Sequence, residues 1–138
     1  MEFAYAKIEG GRKLSYRPCL PVTFSYGGKS FPVGRALVDT GADITILPRE
    51  VAHALDLRLD DTEPIRISPA GGHDFVALPS LHKVQYSIEK KGFRSIQWEG
   101  TVYFADCEQH LLGYHQCLEY FDLTFQGPEK KLSVLPRF

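Results

Sequence analysis

The chain has 138 residues, of which 43% are hydrophobic and 24% charged, and its 16 Lys and Arg nearly balance its 17 Asp and Glu. This length and composition fit one globular domain, spanning residues 1–138 with a core over about 20–135. The near-neutral charge argues against nucleic-acid partners, and the lack of a long apolar run argues against a membrane span. Residues 1–10 alternate apolar and polar types and have no apolar stretch typical of a signal peptide. Three cysteines are a low, odd count, which predicts a reduced, cytoplasmic setting.

Alternation of apolar and polar residues predicts short strands along most of the chain. The alternation from Val22 to Tyr26 is broken by Gly27-Gly28 and resumes from Phe31 to Val33, which predicts a hairpin. The same period predicts later strands at Val84–Ile88, at Ile96–Phe104 with Gly100 as a bulge, and at 123–125 and 132–135 around the turn 127–129. This rhythm of strands and turns is typical of a sandwich or barrel.

Two segments depart from the strand period. Pro48 to Leu57 has proline at the first helical position, followed by apolar residues at helical spacing, and it predicts a short helix. Tyr114 to Phe121 begins just after Gly113 and predicts a second helix. The sequence therefore predicts an all-β fold with two short helices.

A carboxylate stands at the end of an apolar run. Ala36–Val38 lead into Asp39, and a hydroxyl, a glycine and an alanine separate it from a second apolar run, Ile44–Leu47. An aspartate at the end of a buried strand is costly unless its charge is held by hydrogen bonds or it shares a proton. Thr40 supplies a hydroxyl, and Gly41 allows a sharp turn and a close approach by another chain. We therefore take this loop as the candidate catalytic site.

The loop Asp39-Thr40-Gly41-Ala42-Asp43, framed by these apolar runs, resembles the active-site loop of the retropepsin-type aspartic proteases. A second match, Leu111-Leu112-Gly113 followed by Phe121–Phe125, is similar to the apolar-apolar-Gly ending of that family. The resemblance covers roughly residues 23–134. It implies a closed acid-protease barrel with two short helices and a flap hairpin, with no cofactor and no metal.

The resemblance also implies that two chains make one site. An aspartic protease needs two carboxylates facing each other across a water, and their repulsion leaves the pair holding one proton. This chain has one Asp-Thr-Gly, so the second copy must come from a twofold partner, with Asp39 facing Asp39. In the family, the residue at the Thr40 position bonds across the axis and the carbonyl at the Gly41 position meets substrate. The sequence thus predicts a homodimeric endopeptidase that acts on a peptide or protein.

The hairpin from Ile65 to Leu78 turns at Pro69-Ala70-Gly71-Gly72, and paired glycines suit a mobile tip. From the residues alone, an ordinary surface hairpin fits equally well. Its position relative to Asp39 favours the flap that closes over a bound peptide in the family. We expect the substrate pocket to be mostly apolar and to be lined by Gly41, Asp43, Ile46, Ile67 and residues 70–72.

One position departs from the retroviral pattern. Retroviral members usually carry Arg directly after the apolar-apolar-Gly motif, where it supports the dimer through ion pairs. Here Tyr114 and His115 follow Gly113, while the matching carboxylate, Asp43, is present. In retroviral enzymes both termini form an interface sheet; here 1–8 and 132–138 are the candidate segments for it, and the longer N-terminus is a further departure from that pattern. The rival interpretation is therefore a dimerisation or binding module with this fold and weak or no catalysis.

The sequence allows two further interpretations. Cys107, His110, His115 and Cys117 lie close in sequence, but their spacing is not that of a known zinc finger, so we interpret them as small thiols and surface imidazoles. Asp39 itself could be structural, capping the turn that follows it. Its setting between two apolar runs favours the catalytic interpretation.

Overall fold

The structure is a computed structural model of the chain and describes residues 1–10, 13–69 and 71–138. Strands dominate it, and their bounds are β1 Glu2–Ala4, β2 Ala6–Gly10, β3 Lys13–Arg17, β4 Cys19–Tyr26, β5 Lys29–Val38, β6 Ile46–Pro48, β7 Ile65–Ile67, β8 Phe75–Pro79, β9 Val84–Ile88, β10 Ile96–Gly100, β11 Tyr103–Ala105, β12 Leu111–Leu112, β13 Phe121–Gln126 and β14 Lys131–Pro136. An α-helix, α1, spans Arg49–Ala54, and a single 3₁₀ turn spans Leu118–Tyr120. The mostly β class is confirmed.

Nine strands form one curled sheet in the order β10-β9-β4-β5-β12-β6-β11-β8-β7. Its centre is the hairpin of β4 and β5, predicted from the alternation around Gly27-Gly28, and both glycines have positive φ, as a tight hairpin turn requires. The short strand β12 lies parallel to β5 and antiparallel to β6. Closure of this sheet into a barrel stays a prediction, since β10 and β7 are the two ends of the order in the described part of the chain.

The chain ends lie together in a separate three-stranded sheet of order β1-β14-β13. Met1 exchanges two backbone hydrogen bonds with Val134, which fixes the start of the chain against β14. The strands β2 and β3 form a further two-stranded hairpin that the sequence did not predict. Among the described residues, no helix has both the length and the apolar character needed to cross a membrane.

The core follows from the alternation of the strands. Inward residues of β4, β9 and β10 meet in an aromatic stack, with ring centroids 5.0 Å apart for Phe24 and Tyr86 and 4.9 Å for Tyr86 and Trp98. Burying a side chain of this size stabilises the fold by roughly 1.5–3 kcal/mol. A smaller cluster of Ile46, Ala77 and Ala105 lies beneath the β7–β8 hairpin. The main core thus supports the sheet, and the second cluster supports the hairpin.

Three details of the predicted elements were wrong. The first helix begins at Arg49, with Pro48 as its N-cap at ψ 147°, because Pro48 is still the last residue of β6 and pairs with Ala105. The predicted strand from Ile96 to Phe104 is two strands, broken after Gly100. The predicted helix from Tyr114 to Phe121 is a turn followed by one 3₁₀ turn. Gln116 has a left-handed φ of 56°, which interrupts the helical backbone, and the N–H groups of Leu118 and Glu119 bond back five residues, to Gly113 and Tyr114, and not four as in an α-helix.

Candidate active site

Asp39 directly follows the last residue of β5, at the point where the strand ends and a loop begins. The backbone N–H of Asp39 donates to the carbonyl of Leu112 over 3.1 Å, and that of Leu37 donates to the carbonyl of His110 over 2.8 Å. These bonds continue the parallel pairing of β5 with β12. The two matched motifs, far apart in sequence, are therefore neighbours. Strand β12 pairs with β5 before the loop of Asp39 and with β6 after it.

The carboxylate of Asp39 is half-buried and partly held by its own loop. Its Oδ1 accepts a hydrogen bond from the backbone N–H of Gly41 at 3.0 Å. The backbone carbonyl of Asp39 accepts a second one from the N–H of Ala42 at 3.1 Å. In the hydrogen bonds of the described residues, none reaches its other oxygen, Oδ2. One oxygen is thus fixed by Gly41, and the other, without a partner among the described residues, is available to a water or a second carboxyl group.

Gly113 lies under the loop at a position where no side chain fits. A Cβ built there would stand 2.2 Å from the carbonyl oxygen of Ile44 and 2.6 Å from its nitrogen. The N–H of Gly113 donates to the hydroxyl oxygen of Thr45 over 3.1 Å in the core. The glycine of the second motif is therefore required by close backbone packing.

Tyr114 and His115, which follow Gly113, also bond to the loop of Asp39 through their backbone. The N–H of Tyr114 donates to the carbonyl of Ala42 at 2.9 Å, and the N–H of His115 donates to the carbonyl of Asp43 at 2.8 Å. Backbone bonds to Leu112, Tyr114 and His115 thus fix the loop 39–43 at both ends. The structure brings the loop 39–43 together with Leu111–Gly113, whereas Phe121–Phe125 belong to the separate sheet of the chain ends.

The outer face of this loop is open in the single chain. Thr40, Gly41 and Asp43 are exposed, and Asp43 has no ion-pair partner among the described residues. Tyr114, at the position of the retroviral Arg, is 60% exposed. The His115 ring instead lies 3.4 Å from the carboxylate of Glu119. The loop therefore presents polar groups, a glycine and an aromatic ring to whatever covers it.

The predicted flap is a hairpin in which β7 pairs with β8, Ile65 opposite Ala77 and Ile67 opposite Phe75. At its tip the N–H of Gly72 donates to the carbonyl of Pro69 at 3.2 Å, and Gly71 has a left-handed φ of 71°. The fourth predicted tip residue, Ala70, lies outside the described residues. The hairpin is confirmed, and its role as a flap stays a prediction.

Apolar side chains from the hairpin, from the end of the Asp39 loop and from the segment 103–111 share one cluster. They are half-buried and pack against the small second cluster: Ile44, Ile67, Phe75, Tyr103, Cys107 and Leu111. Ile46, which was expected to line a pocket, is buried beneath them at 3% exposure. A surface concavity of about 520 Å³ lies elsewhere, between Phe93–Gln97 and the chain ends. We take the loop of Asp39 as the site because the carboxylate and the two matched motifs lie there and not at this concavity.

The thiols and imidazoles are spread over different environments. Cys117 is buried, Cys107 and His110 are half-buried, and His115 is exposed. Burial lowers the pKa of His110, against the opposing effect of Glu50, and burial raises the pKa of Cys107. Within the described ranges, no group of three or more His, Cys, Asp or Glu side chains is gathered to hold a metal ion.

Two residues with buried or constrained hydrogen bonds beside the loop were missed from the sequence. Thr45 stands in an apolar run, where a threonine is an ordinary strand former, and only its 1% exposure indicates a buried hydroxyl with a partner. Gln116 was assigned to a helix, although its left-handed backbone and its hydrogen bonds hold the turn after Gly113. No pattern in the sequence marks either residue.

Comparisons with known proteins give a matching family and similar solved structures. A family model described as aspartyl protease matches residues 21–115. The solved structure of the EIAV protease in complex with the inhibitor HBY-793 is similar at 23% sequence identity and a TM-score of 0.39, covering 70% of this chain and 81% of that one. No curated protein matches the chain.

Proposed function

The chain belongs to the aspartyl protease family, and we propose that it is an aspartic endopeptidase that acts as a homodimer, with Asp39 of each protomer in one shared site. The observation that carries this proposal is the setting of Asp39. Its carboxylate ends a central strand, one oxygen is fixed by Gly41, and the surrounding loop is exposed in the single chain. A second copy of the same loop would complete the pair of carboxylates.

The chemistry follows from the repulsion of two like charges. At about 4 Å separation, two carboxylates repel by roughly 4 kcal/mol at an effective dielectric constant of 20. The pair therefore holds one proton near its working pH. The ionised Asp39 takes a proton from water as the water attacks the peptide carbonyl, and the protonated Asp39 gives its proton to the carbonyl oxygen, which forms a gem-diol. The Asp39 that gained the proton then gives it to the amide nitrogen as the C–N bond breaks, and the other Asp39 takes a proton from a gem-diol hydroxyl. The products are a carboxylic acid and an amine, and the pair again holds one proton. These steps need no cofactor.

The neighbours of Asp39 take their roles from the resemblance. Thr40 bonds across the twofold axis and holds the two loops rigid, and the carbonyl of Gly41 meets the substrate backbone. Both residues are exposed in the single chain, as a residue that meets a partner or a substrate must be. Ala42 and Asp43 support the loop through their carbonyl groups, which accept hydrogen bonds from the segment after Gly113.

The sheet of the chain ends is the proposed dimer surface. Its edge strands are β1 and β13. Phe125 on β13 and Leu135 on β14 are 43% and 51% exposed on opposite faces of this sheet, and Phe138, beyond the end of β14, is 65% exposed. An edge strand also presents unpaired backbone N–H and C=O groups with which a strand of a second copy can pair. Burial of this surface between two copies would bring the two Asp39 loops to a common axis.

The proposed substrate is a peptide in an extended conformation. Such a peptide adds strand-like hydrogen bonds to the floor of the site and to the hairpin tip at 69–72, which closes over it and excludes water. The half-buried apolar side chains that hairpin and loop share in one cluster favour hydrophobic or small residues near the cleaved bond. The free state of all three cysteines supports our placing the enzyme in a reducing, cytoplasmic setting.

The proposal is tested by replacing the acid and mixing the chains. Asp39→Asn keeps the shape and the Gly41 contact but removes the titrating group, so we expect a folded dimer without peptide cleavage. Mixed dimers of wild-type and Asp39→Asn chains should also be inactive, since each site needs both acids. Cleavage at the wild-type rate by Asp39→Asn would refute the proposal.

A catalytically weak dimerisation or binding module with this fold is the second candidate. The exposed Tyr114 at the position of the retroviral Arg favours it, because Asp43 then lacks the ion pair that supports the dimer in retroviral enzymes. A wild-type chain that dimerises and binds an extended peptide without cleaving it would support this candidate.

A further inference from the structure

The turn after Gly113 contacts the loop of Asp39 on one side and the core on the other. On the loop side, Tyr114 and His115 donate their backbone N–H groups to the carbonyls of Ala42 and Asp43. Both bonds lie at the exposed face of the loop, so neither is protected by depth in the core. Their persistence therefore depends on what holds the turn in place.

On the core side, the turn is held through Gln116. Its side-chain Oε1 accepts the backbone N–H of Thr101 at 2.7 Å, and its carbonyl accepts the indole N–H of Trp98 at 3.2 Å. Its own N–H donates to a carboxylate oxygen of Glu119 at 2.5 Å. These three bonds tie the turn to β10, to the break between β10 and β11, and to the 3₁₀ turn.

The backbone of Gln116 is unusual for its residue type. Its φ is 56°, in the left-handed region that side chains other than those of Gly, Asn and Asp rarely adopt. The fit against β10 is also close, because a Cβ built on Gly100 would stand 2.7 Å from the carbonyl oxygen of Gln116. A strained residue with three hydrogen bonds persists only where its surroundings hold it in place, and such residues cluster at functional sites.

We propose that Gln116 is a positioning residue for the proposed reaction: by tying the turn to the β10–β11 break, it holds the carbonyls of Ala42 and Asp43 and so the loop that carries Asp39. This inference rests on the proposed function for its effect on catalysis. Its structural part, that Gln116 restrains the Tyr114 and His115 bonds, stands on the geometry alone. The residue touches no reacting atom and acts through the loop.

A matched pair of variants tests it. Gln116→Ala leaves the N–H of Thr101 without its acceptor, and Ser80→Ala does the same to the next N–H, since Val102 donates to the Ser80 hydroxyl at 3.3 Å. Each variant therefore leaves one backbone N–H without its acceptor, that of Thr101 in the first and that of Val102 in the second. Only Gln116→Ala loosens the turn after Gly113. Gln116→Glu keeps an acceptor oxygen and serves as the conservative variant.

The first measurement is amide hydrogen exchange at Tyr114 and His115 in the full-length protein. We expect exchange about tenfold faster in Gln116→Ala than in Ser80→Ala, and exchange close to wild type in Gln116→Glu. Equal rates in the two alanine variants would overturn the inference. This readout needs no peptidase activity, so it decides the structural part even where the proposed function fails.

The second measurement separates kcat from KM for peptide cleavage. We expect Gln116→Ala to lower kcat about tenfold with KM nearly unchanged, and Ser80→Ala to leave both near wild type after correction for folded fraction. A kcat in Gln116→Ala equal to that in Ser80→Ala would overturn the positioning role. A wild-type chain that cleaves no peptide would instead count against the proposed function alone.

Discussion

The backbone N–H of Gly113 donates to the hydroxyl oxygen of Thr45 over 3.1 Å, although 68 residues separate the two in sequence. Thr45 follows the loop of Asp39, and Gly113 follows the strand β12 that pairs with β5. This buried bond therefore joins the two segments that must stay in register for Asp39 to keep its place.

Removing the Thr45 hydroxyl, which accepts this bond, should destabilise the fold without changing the shape of the core. Thr45→Val leaves the buried N–H of Gly113 unpaired, which costs about 1–3 kcal/mol. Thr45→Ser keeps the acceptor and loses only a methyl group, about 1 kcal/mol. Urea unfolding of both variants checks the difference, and a valine variant as stable as wild type would show that the bond contributes little.

A methyl group at Gly113 should be far more damaging than one at an open glycine. In Gly113→Ala the Cβ meets the backbone of Ile44 at 2.2 Å, so the loop of Asp39 must move or the chain must fail to fold. Gly127→Ala is the control, because nothing lies within 4 Å of its Cβ and its φ is not positive. Expression, thermal melting and amide spectra of the two variants would show the contrast. Equal behaviour would contradict the close approach.

The buried thiol of Cys117 should make stability fall at alkaline pH. Burial raises its pKa from 9.0 to about 12, so the unfolded chain releases this proton first as pH rises. The contribution of this thiol to the free energy of unfolding is fully present below pH 9 and is lost between pH 9 and pH 12. About 1.4 kcal/mol of this contribution is lost between pH 7 and pH 10. Burial also raises the pKa of Cys19, Cys107 and Tyr86, which act in the same direction.

The comparison that isolates this thiol is wild type against Cys117→Ala. We expect the free energies of unfolding of the two proteins to converge from pH 7 to pH 10 by about 1.4 kcal/mol. A difference between them that stays constant with pH would mean that the thiol titrates alike in the folded and unfolded chains.

The hairpin tip gives a test of the proposed flap. Gly71 and Gly28 have positive φ of 71° and 81°, and a Cβ at either meets nothing within 4 Å. Alanine at either position should therefore cost about 1 kcal/mol through backbone strain alone. If the tip closes over a peptide, only Gly71→Ala should also raise KM. Equal KM values for Gly71→Ala and Gly28→Ala would indicate an ordinary surface hairpin.

The sequence was informative where local pattern and fold agree. Alternation located the β4–β5 hairpin, and the framing of Asp39 by apolar runs located the loop that the structure joins to Leu111–Gly113. The turn at Gln116 was misassigned because its left-handed backbone is imposed by Trp98 and Thr101, which are distant along the chain. The hydroxyl of Thr45 was overlooked for the same reason, since its partner is 68 residues away.

The pH dependence of cleavage should report a shared proton. Since one Asp39 must be ionised and the other protonated, the rate should form a bell-shaped profile on the acidic side of neutrality. Peptide cleavage followed across a range of buffers checks this. A rate that still rises at about pH 9 would be incompatible with an acid pair.

The most direct test is an experimental structure of the assembled dimer, in which the distance between the two Asp39 carboxylates is measured. The account predicts a twofold axis that passes between the two loops, with the carboxylates within hydrogen-bond reach of one bridging water, about 3 Å from each. A monomer in solution, or a dimer whose axis leaves each Asp39 facing solvent alone, would contradict it.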